Sequence, residues 1–267
     1  MRNLLKTDLY RVVKDKLFLV LAILAGVFAF ITPMANFAIL IAFDEENIRL
    51  ANEAKSMFTS AFGVSGNFGL ISPILLTIVL CKDFSHGTIR NKIISGKSRV
   101  SIFFSTFITA SIVFAGIMLA HALCTLGISL CFFQYQATPF TGADFGNLML
   151  SLLFNLCTYI LIAGIISFFS VAMKNAGLAV VMYLAVLFFF TIYGGIINIA
   201  SFMAMPDTST YKILEFLSMS NPFSSSIFGG EATYTWKSYV YELLPTILGA
   251  GGAFGLGLLI FRKKDLK

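Results

Sequence analysis

Long apolar runs alternate with short polar segments along the whole chain. A helix needs about 20 apolar residues to cross the hydrocarbon core of a bilayer, and six runs come close to this length or exceed it. We therefore predict an all-α integral membrane protein with six transmembrane helices in a single domain, residues 1–267. The second run is short and contains Pro73, and Pro33 interrupts the outer half of the first. The predicted spans are 17–43, 63–81, 101–133, 148–173, 177–204 and 241–261.

Two of the polar segments have a helical pattern of their own. In residues 1–16, Leu5, Leu9, Val12 and Lys16 fall close together on a helical wheel, which predicts an amphipathic helix in the headgroup region. The alternative is an ordinary polar lead-in to the first span. Residues 206–240 form the longest polar stretch and are expected to be an extracellular loop with short helices, one of them over 208–219.

The composition excludes a soluble protein. Of the 267 residues, 58% are hydrophobic and only 12% are charged, about half the charged fraction of a soluble domain. The first apolar run is too long for a signal peptide, so we interpret it as a span. The net charge of +6 comes from residues beside the apolar runs. We therefore expect a bilayer, not a nucleic acid, as the partner of these cations.

The distribution of cations predicts the topology. The N-terminal segment, residues 82–100, the turn at Lys174 and the C-terminus together hold fifteen of the 19 Lys and Arg residues. Loops rich in Lys and Arg stay on the cytoplasmic side. Both termini and the 82–100 segment are therefore predicted to be cytoplasmic.

Residues 82–100 form a basic segment between the second and third spans. Asp83 and Ser85 are suitable helix N-caps, and Gly96 is a suitable residue just beyond a helix end. Ile89 and Ile93 lie one helical turn apart, which predicts a short helix with an apolar ridge that inserts into a groove of a soluble partner. An ordinary positive-inside loop would explain the charges but not the isoleucines.

Recognisable catalytic motifs are absent from the sequence. There is no phosphate-binding G-x-x-x-x-G-K-[ST] motif and no H-E-x-x-H motif, and no predicted span core contains Asp, Glu, Lys or Arg. The four cysteines lie in or beside apolar runs, without metal-ligand spacing. We expect no catalytic, cofactor or metal site in this chain. Self-powered secondary transport is disfavoured because it normally needs charged groups at membrane depth.

A few polar and small residues within the spans suggest helix contacts. His121, Asn36, Asn155 and Asn198 are expected to bond neighbouring helices or to line a path. Gly251 and Gly255 have the small-x-x-x-small spacing that lets two helices approach closely. That contact could form within one chain or between two chains.

Three stretches of the sequence resemble the permease subunits of bacterial ABC-2-type transporters. Asp83 to Lys92, followed by Gly96-Lys97-Ser98-Arg99, is similar to the family's acidic-x-x-x-Gly-Thr stretch and its later Ser-Arg pair. Asn221-Pro222-Phe223 is similar to its Pro-containing outer loop, and Phe261 to Asp265 is similar to its ending. With the predicted topology, the resemblance covers the whole chain. It departs at Gly96-Lys97, where many members have a nearby Pro.

The resemblance implies the function and the partners. The chain would be the membrane subunit of an ATP-driven exporter in the bacterial cytoplasmic membrane, paired with a second copy or a sister permease. It would be no enzyme itself, because two copies of a separate ATPase would hydrolyse Mg-ATP. The cargo would be an amphipathic or lipid-like molecule such as a peptide or drug. The ATPase would dock on a coupling helix comprising Asp83, Phe84, Gly87, Thr88, Ile89, Arg90, Lys92 and Ile93.

Three alternatives remain at this point. One is an immunity module of the same architecture that removes antimicrobial peptides. Another is a secondary transporter or channel that needs no ATPase. A membrane-embedded enzyme would require several polar groups converging at one depth, and His121 alone does not provide them.

Overall fold

A computed structural model describes residues 2–43, 53–63, 67–85, 87–135, 141–173, 175–204, 208–223 and 239–264. These residues form helices joined by short connections and contain no strand. A short π-helical turn, Tyr239–Leu243, leads into the last helix. The helices are α1 (Arg2–Lys14), α2 (Lys16–Phe43), α3 (Ala54–Ser60), α4 (Asn67–Ser85), α5 (Thr88–Ile94), α6 (Arg99–Ser129), α7 (Gly142–Ala172), α8 (Ala176–Met203), α9 (Ser209–Met219) and α10 (Leu244–Lys263).

Five of these helices are long and apolar enough to cross a membrane, namely α2, α6, α7, α8 and α10. The second predicted span falls in α4, which has 19 residues and contains Pro73. The structure therefore agrees with an all-α, multi-pass membrane protein, while the sixth span stays a prediction. The helix predicted over 208–219 is confirmed as α9, with Thr208 as its N-cap. Residues 206–207 and 224–238 of the predicted outer loop lie outside the described residues.

The bundle has central and peripheral helices. More than half of the residues in the apolar stretches of α6 and α7 are buried, against less than a quarter in α2, α8 and α10. α4 packs against α2, α7 and α8. The peripheral helices direct large apolar side chains outward, as expected where hydrocarbon surrounds a protein.

Small residues bring α7 and α10 together, but they are not the predicted pair. A Cβ added at Gly164 would lie 3.3 Å from Ala253 Cβ. One added at Gly257 would lie 3.3 Å from Phe168 Cα of α7 and 2.5 Å from Phe103 Cζ of α6. Gly251 and Gly255 have open space instead. Neither glycine therefore makes a close contact with another described helix of the same chain. Packing between two chains stays a prediction.

One end of the bundle gathers the segments that the charge count placed on a common side. Buried apolar residues of α1, α5, α6, α7 and α10 form one cluster there. The Arg99 guanidinium donates hydrogen bonds to the carbonyl oxygens of Phe261, Arg262 and Lys264 at 3.2, 3.0 and 2.7 Å. We call this the basic end. Which side of a membrane it faces stays a prediction.

The other end of the bundle carries α3 and α9. The Lys55 ammonium contacts the Asp144 carboxylate at 2.6 Å, which joins α3 to α7. α9 packs on α8, where the Ser218 hydroxyl donates to Asn198 Oδ1 at 2.9 Å. The long helices therefore connect the basic end to the opposite end, whereas the short helix α5 lies at the basic end.

The N-terminal helix follows α6 instead of leaving the bundle. Ser105 bonds Asp8 of α1, and His121 bonds the Ala25 carbonyl of α2. These two α6 residues are 16 positions apart, about 24 Å along a helix, and their partners are 17 positions apart. A sharp turn between α1 and α2 would bring Asp8 and Ala25 closer together than the two α6 residues that they contact. α1 therefore continues in the general direction of α2.

The buried face of α1 differs from the predicted one. Leu4, Asp8 and Val12 are its buried residues, whereas Lys16 is exposed and Leu9 is only partly buried. α1 ends before Asp15, whose carboxylate accepts a hydrogen bond from the Leu17 amide at 2.9 Å and so caps α2. The predicted amphipathic helix exists, but its buried face contains a carboxylate.

Candidate functional site

The candidate site is α5 together with the charged side chains that attach it to the bundle. Gly87, with a φ of 68°, begins the helix, and Gly96, with a φ of 82°, follows it. Both lie in the left-handed region that favours glycine. Gly96 therefore has the predicted terminal role. The predicted caps are wrong, because Asp83 lies inside α4 and Gly87 occupies the N-cap position.

α5 has an inward and an outward face. Ile89 is only 2% exposed and packs in the apolar cluster of the basic end, with Ile93 against its edge. Arg90, Asn91 and Ile94 are exposed, Ile94 at 75%. The predicted outward ridge of Ile89 and Ile93 is therefore wrong. Helical spacing places residues 90, 91 and 94 on the opposite side from 89 and 93.

Asp8 is the buried centre of the attachment. Its carboxylate is 2.6 Å from the Lys92 ammonium of α5 and accepts a hydrogen bond from the Ser105 hydroxyl of α6 at 2.7 Å. Asp8 is 2% exposed, so solvent screens the pair weakly. One carboxylate thus ties α1, α5 and α6 together.

A second carboxylate extends this cluster into α4. Asp83, also 2% exposed, forms an ion pair with Arg11 of α1 and lies 3.6 Å from the Lys92 ammonium. At the edge of the cluster, the Lys82 ammonium contacts the Asp15 carboxylate at 2.7 Å with more solvent around it. We call Asp8, Arg11, Asp83 and Lys92 the latch cluster.

Burial and pairing act against each other in these groups. Burial lowers the pKa of the Lys92 ammonium, and the hydrogen bond to Asp8 only partly opposes this effect. Burial likewise lowers the pKa of the Arg11 guanidinium, against the attraction of Asp8 and Asp15. For Asp15, burial raises the pKa, but hydrogen bonds from Lys82 and the Leu17 amide outweigh it, so the pKa falls below its usual range. Burial makes these charged groups dependent on their ion-pair partners, because a buried charge without a partner is strongly destabilising.

The structure brings most of the predicted docking residues to one place. Thr88 and Gly87 are half-buried at the start of α5, Lys92 and Asp83 are in the latch cluster, and Arg90 faces outward. Phe84 belongs to α4, and its side chain lies outside the described residues.

Asp8, Arg11 and Ser105 are not among the site residues predicted from the sequence. A signal existed, because Leu4, Asp8 and Val12 recur at four-residue spacing, which puts a carboxylate in the middle of an apolar face. A carboxylate in that position needs a partner on a neighbouring element.

The polar residues predicted within the spans have different roles. His121 Nδ1 lies 3.0 Å from the Ala25 carbonyl oxygen, so the expected bond to a neighbouring helix is present. Asn198 also bonds another helix, through Ser218. Asn155 donates to the Ser151 carbonyl of its own helix at 2.9 Å instead. Asn36 is half-buried in α2.

The basic end combines a rigid attachment with an exposed helix face. Among the described residues, no group of three His, Cys, Asp or Glu side chains could hold a metal ion. The latch cluster consists of ion pairs between side chains of α1, α4 and α5. Its arrangement can transmit a displacement of α5 to three other helices.

No protein-family model matches this chain, and no curated protein sequence matches it.

Proposed function

We propose that this chain is the membrane permease of an ATP-driven exporter of the ABC-2 type, energised by a separate ATPase that docks on α5. The observation that carries the proposal is the two-faced geometry of α5. Its inner face is fixed to α1, α4 and α6 by the latch cluster and by Ile89. Its outer face presents Arg90, Asn91 and Ile94 at the end of the bundle.

An attached helix of this kind suits the transfer of force. A soluble ATPase that closes on ATP moves whatever is bound in its surface groove. Lys92 joins α5 to α1 through Asp8 and to α4 through Asp83, so a push on α5 reaches both of these helices. The long spans would then respond as rigid bodies.

The sequence also favours transport energised by a partner protein over transport energised by this chain alone. The sequence has no phosphate-binding loop, and the predicted span cores have no Asp, Glu, Lys or Arg. An energy source outside this chain accounts for both features. We propose an amphipathic or lipid-like cargo, since the surrounding spans are apolar.

Docking can be separated from folding with variants of the two faces. Arg90→Glu and Ile94→Asp change exposed side chains, so the chain should fold normally while co-purifying P-loop ATPase and MgATP hydrolysis fall at least tenfold. Ile89→Asp places an unpaired carboxylate in a 2% exposed site, so it should reduce the amount of folded protein.

A solvent-exposed change elsewhere on the molecule provides the matched control. Lys212→Glu alters a cation of α9 at the opposite end and should leave co-purification unchanged. The proposal fails if Arg90→Glu and Ile94→Asp retain the ATPase as well as this control does. It also fails if the folded chain never co-purifies with a protein that carries a phosphate-binding loop.

A further inference from the structure

An apolar groove of about 360 Å³ runs between α1, α2 and α6. Small residues at four-residue spacing form its floor, Ala22 and Gly26 on α2 and Gly116 and Ala120 on α6. A Cβ added at Gly26 or Gly116 would have no atom within 4 Å. The groove therefore exists because side-chain volume is missing along both helices.

The groove opens sideways from the bundle. All four of these small residues are exposed. Because both helices are long and apolar enough to cross a membrane, this exposed surface would face lipid. On α6 the lining extends from Ile112 to Cys124, about 18 Å of helix. One leaflet of the hydrocarbon core is about 15 Å thick. The groove thus has the length of one acyl chain.

Cations lie where a headgroup would be. Lys6, Leu9 and Val13 follow one face of α1 at helical spacing, and the last two line the groove. Lys16 follows at the start of α2. Lys6 and Lys16 are exposed, and neither has an ion-pair partner among the described residues. Long lysine side chains at this depth extend towards the membrane surface.

We propose that this groove binds one acyl chain of an anionic phospholipid, whose phosphate contacts Lys6 and Lys16. The terminal carbons lie near His121 and Cys124, at the end of the groove furthest from α1. None of the residues that line the groove belongs to α5. The lipid test therefore does not require the proposed docking of an ATPase.

The test compares phospholipids that remain bound to the purified full-length chain, counted by native mass spectrometry. The probes are phosphatidylglycerol and phosphatidylcholine with identical acyl chains. The wild-type chain should retain one phosphatidylglycerol in preference to phosphatidylcholine. Gly116→Leu, which fills the groove, should reduce retention at least tenfold. Gly127→Leu is the matched control, since this glycine of α6 is exposed with open space around it but does not line the groove.

Headgroup recognition is tested separately. Lys6→Gln and Lys16→Gln should each reduce the preference for phosphatidylglycerol about fivefold, the effect of one cation near an anionic surface. Lys97→Gln, which changes an exposed lysine beyond α5, should not. Ala120→Leu fills the same groove one turn from Gly116 and replaces that variant if it folds poorly.

Three results would overturn the proposal. The first is equal lipid retention by the Gly116→Leu and Gly127→Leu chains. The second is equal binding of both lipids by the wild-type chain, which would refute the headgroup contact. The third is a change of oligomeric state in Gly116→Leu without loss of lipid, which would assign the groove to an interface between proteins.

Discussion

The ion pair between Asp8 and Lys92 gives the most direct stability prediction. Asp8→Ala removes a buried carboxylate and leaves the Lys92 ammonium, whose side chain is 11% exposed, beside Arg11. Asp83 then faces two cations alone. Removing one member of a buried pair destabilises by about 3–5 kcal/mol. The lost hydrogen bond from Ser105 adds about 1 kcal/mol.

The double substitution should be far milder. Asp8→Ala together with Lys92→Met removes both charges, and replacing a whole buried pair by apolar groups is often nearly neutral. We expect a loss of about 1 kcal/mol for the double variant, mainly from the Ser105 hydroxyl left without its acceptor. Lys92→Met alone strands the Asp8 carboxylate and should also cost about 3–5 kcal/mol. The double variant should therefore be at least about 6 kcal/mol more stable than the sum of the two single effects predicts.

Equilibrium unfolding by sodium dodecyl sulfate in mixed micelles, followed by circular dichroism, measures these differences. The Lys82–Asp15 pair is the matched control, because its contact of 2.7 Å is similar but its side chains are 36% and 18% exposed. Exposed pairs contribute about 0.2–1 kcal/mol. Additive effects of Asp8→Ala and Lys92→Met, or equal coupling in the two pairs, would refute the latch cluster as a buried unit.

Three further outcomes follow from other parts of the molecule. Gly257→Ala should destabilise the chain by about 1–3 kcal/mol by overpacking, since the added Cβ would lie 2.5 Å from Phe103 Cζ. Gly251→Ala should not destabilise it, because Gly251 has open space around it. Equal melting temperatures of the two variants would contradict this prediction. The lowered pKa of Asp15 stabilises the folded state above its usual value of 3.8, and this contribution is lost as the pH falls through the lower folded value. Asp15→Asn keeps the helix cap but removes the titrating carboxylate. The free energy of unfolding of this variant should therefore decline less steeply with acid below about pH 4. A decline as steep as that of the wild-type chain would contradict the pairing of Asp15 with Lys82. His121→Leu should lose about 0.6 kcal/mol, the average for one bond between membrane helices, and a loss above 3 kcal/mol would require a larger role for this histidine than its bond to Ala25.

The sequence predicted the helices well because hydrophobic runs depend only on local composition. α2, α7 and α8 begin and end close to the predicted spans. The helix predicted over 208–219 depends on local signals as well, namely its apolar residues and the Asn221-Pro222 pair that follows it. The grouping of α1, α5 and the C-terminal helix at one end agrees with the charge count.

Helix rotation was not predictable in the same way. Ile89 and Ile94 are both isoleucines of one short segment, yet one is buried and the other exposed. Which face turns inward depends on α1 and α6, and in particular on the partner that Asp8 provides for Lys92. The sequence likewise left open where Gly251 and Gly255 pack, and the close approach of α7 to α10 occurs at Gly164 and Ala253 instead. Contacts between distant segments determine these orientations, and one sequence pattern does not contain them.

Cross-linking from α5 in native membranes tests the central claim most directly. A photoreactive residue in place of Ile94, which is 75% exposed at the basic end, should capture a chain with a phosphate-binding loop. The same residue in place of Phe202, 93% exposed near the opposite end, should not capture it. Capture that strengthens when MgATP is added would support docking of an ATPase on α5. Absence of any such ATPase among the products from position 94, while the chain remains folded, would contradict the account.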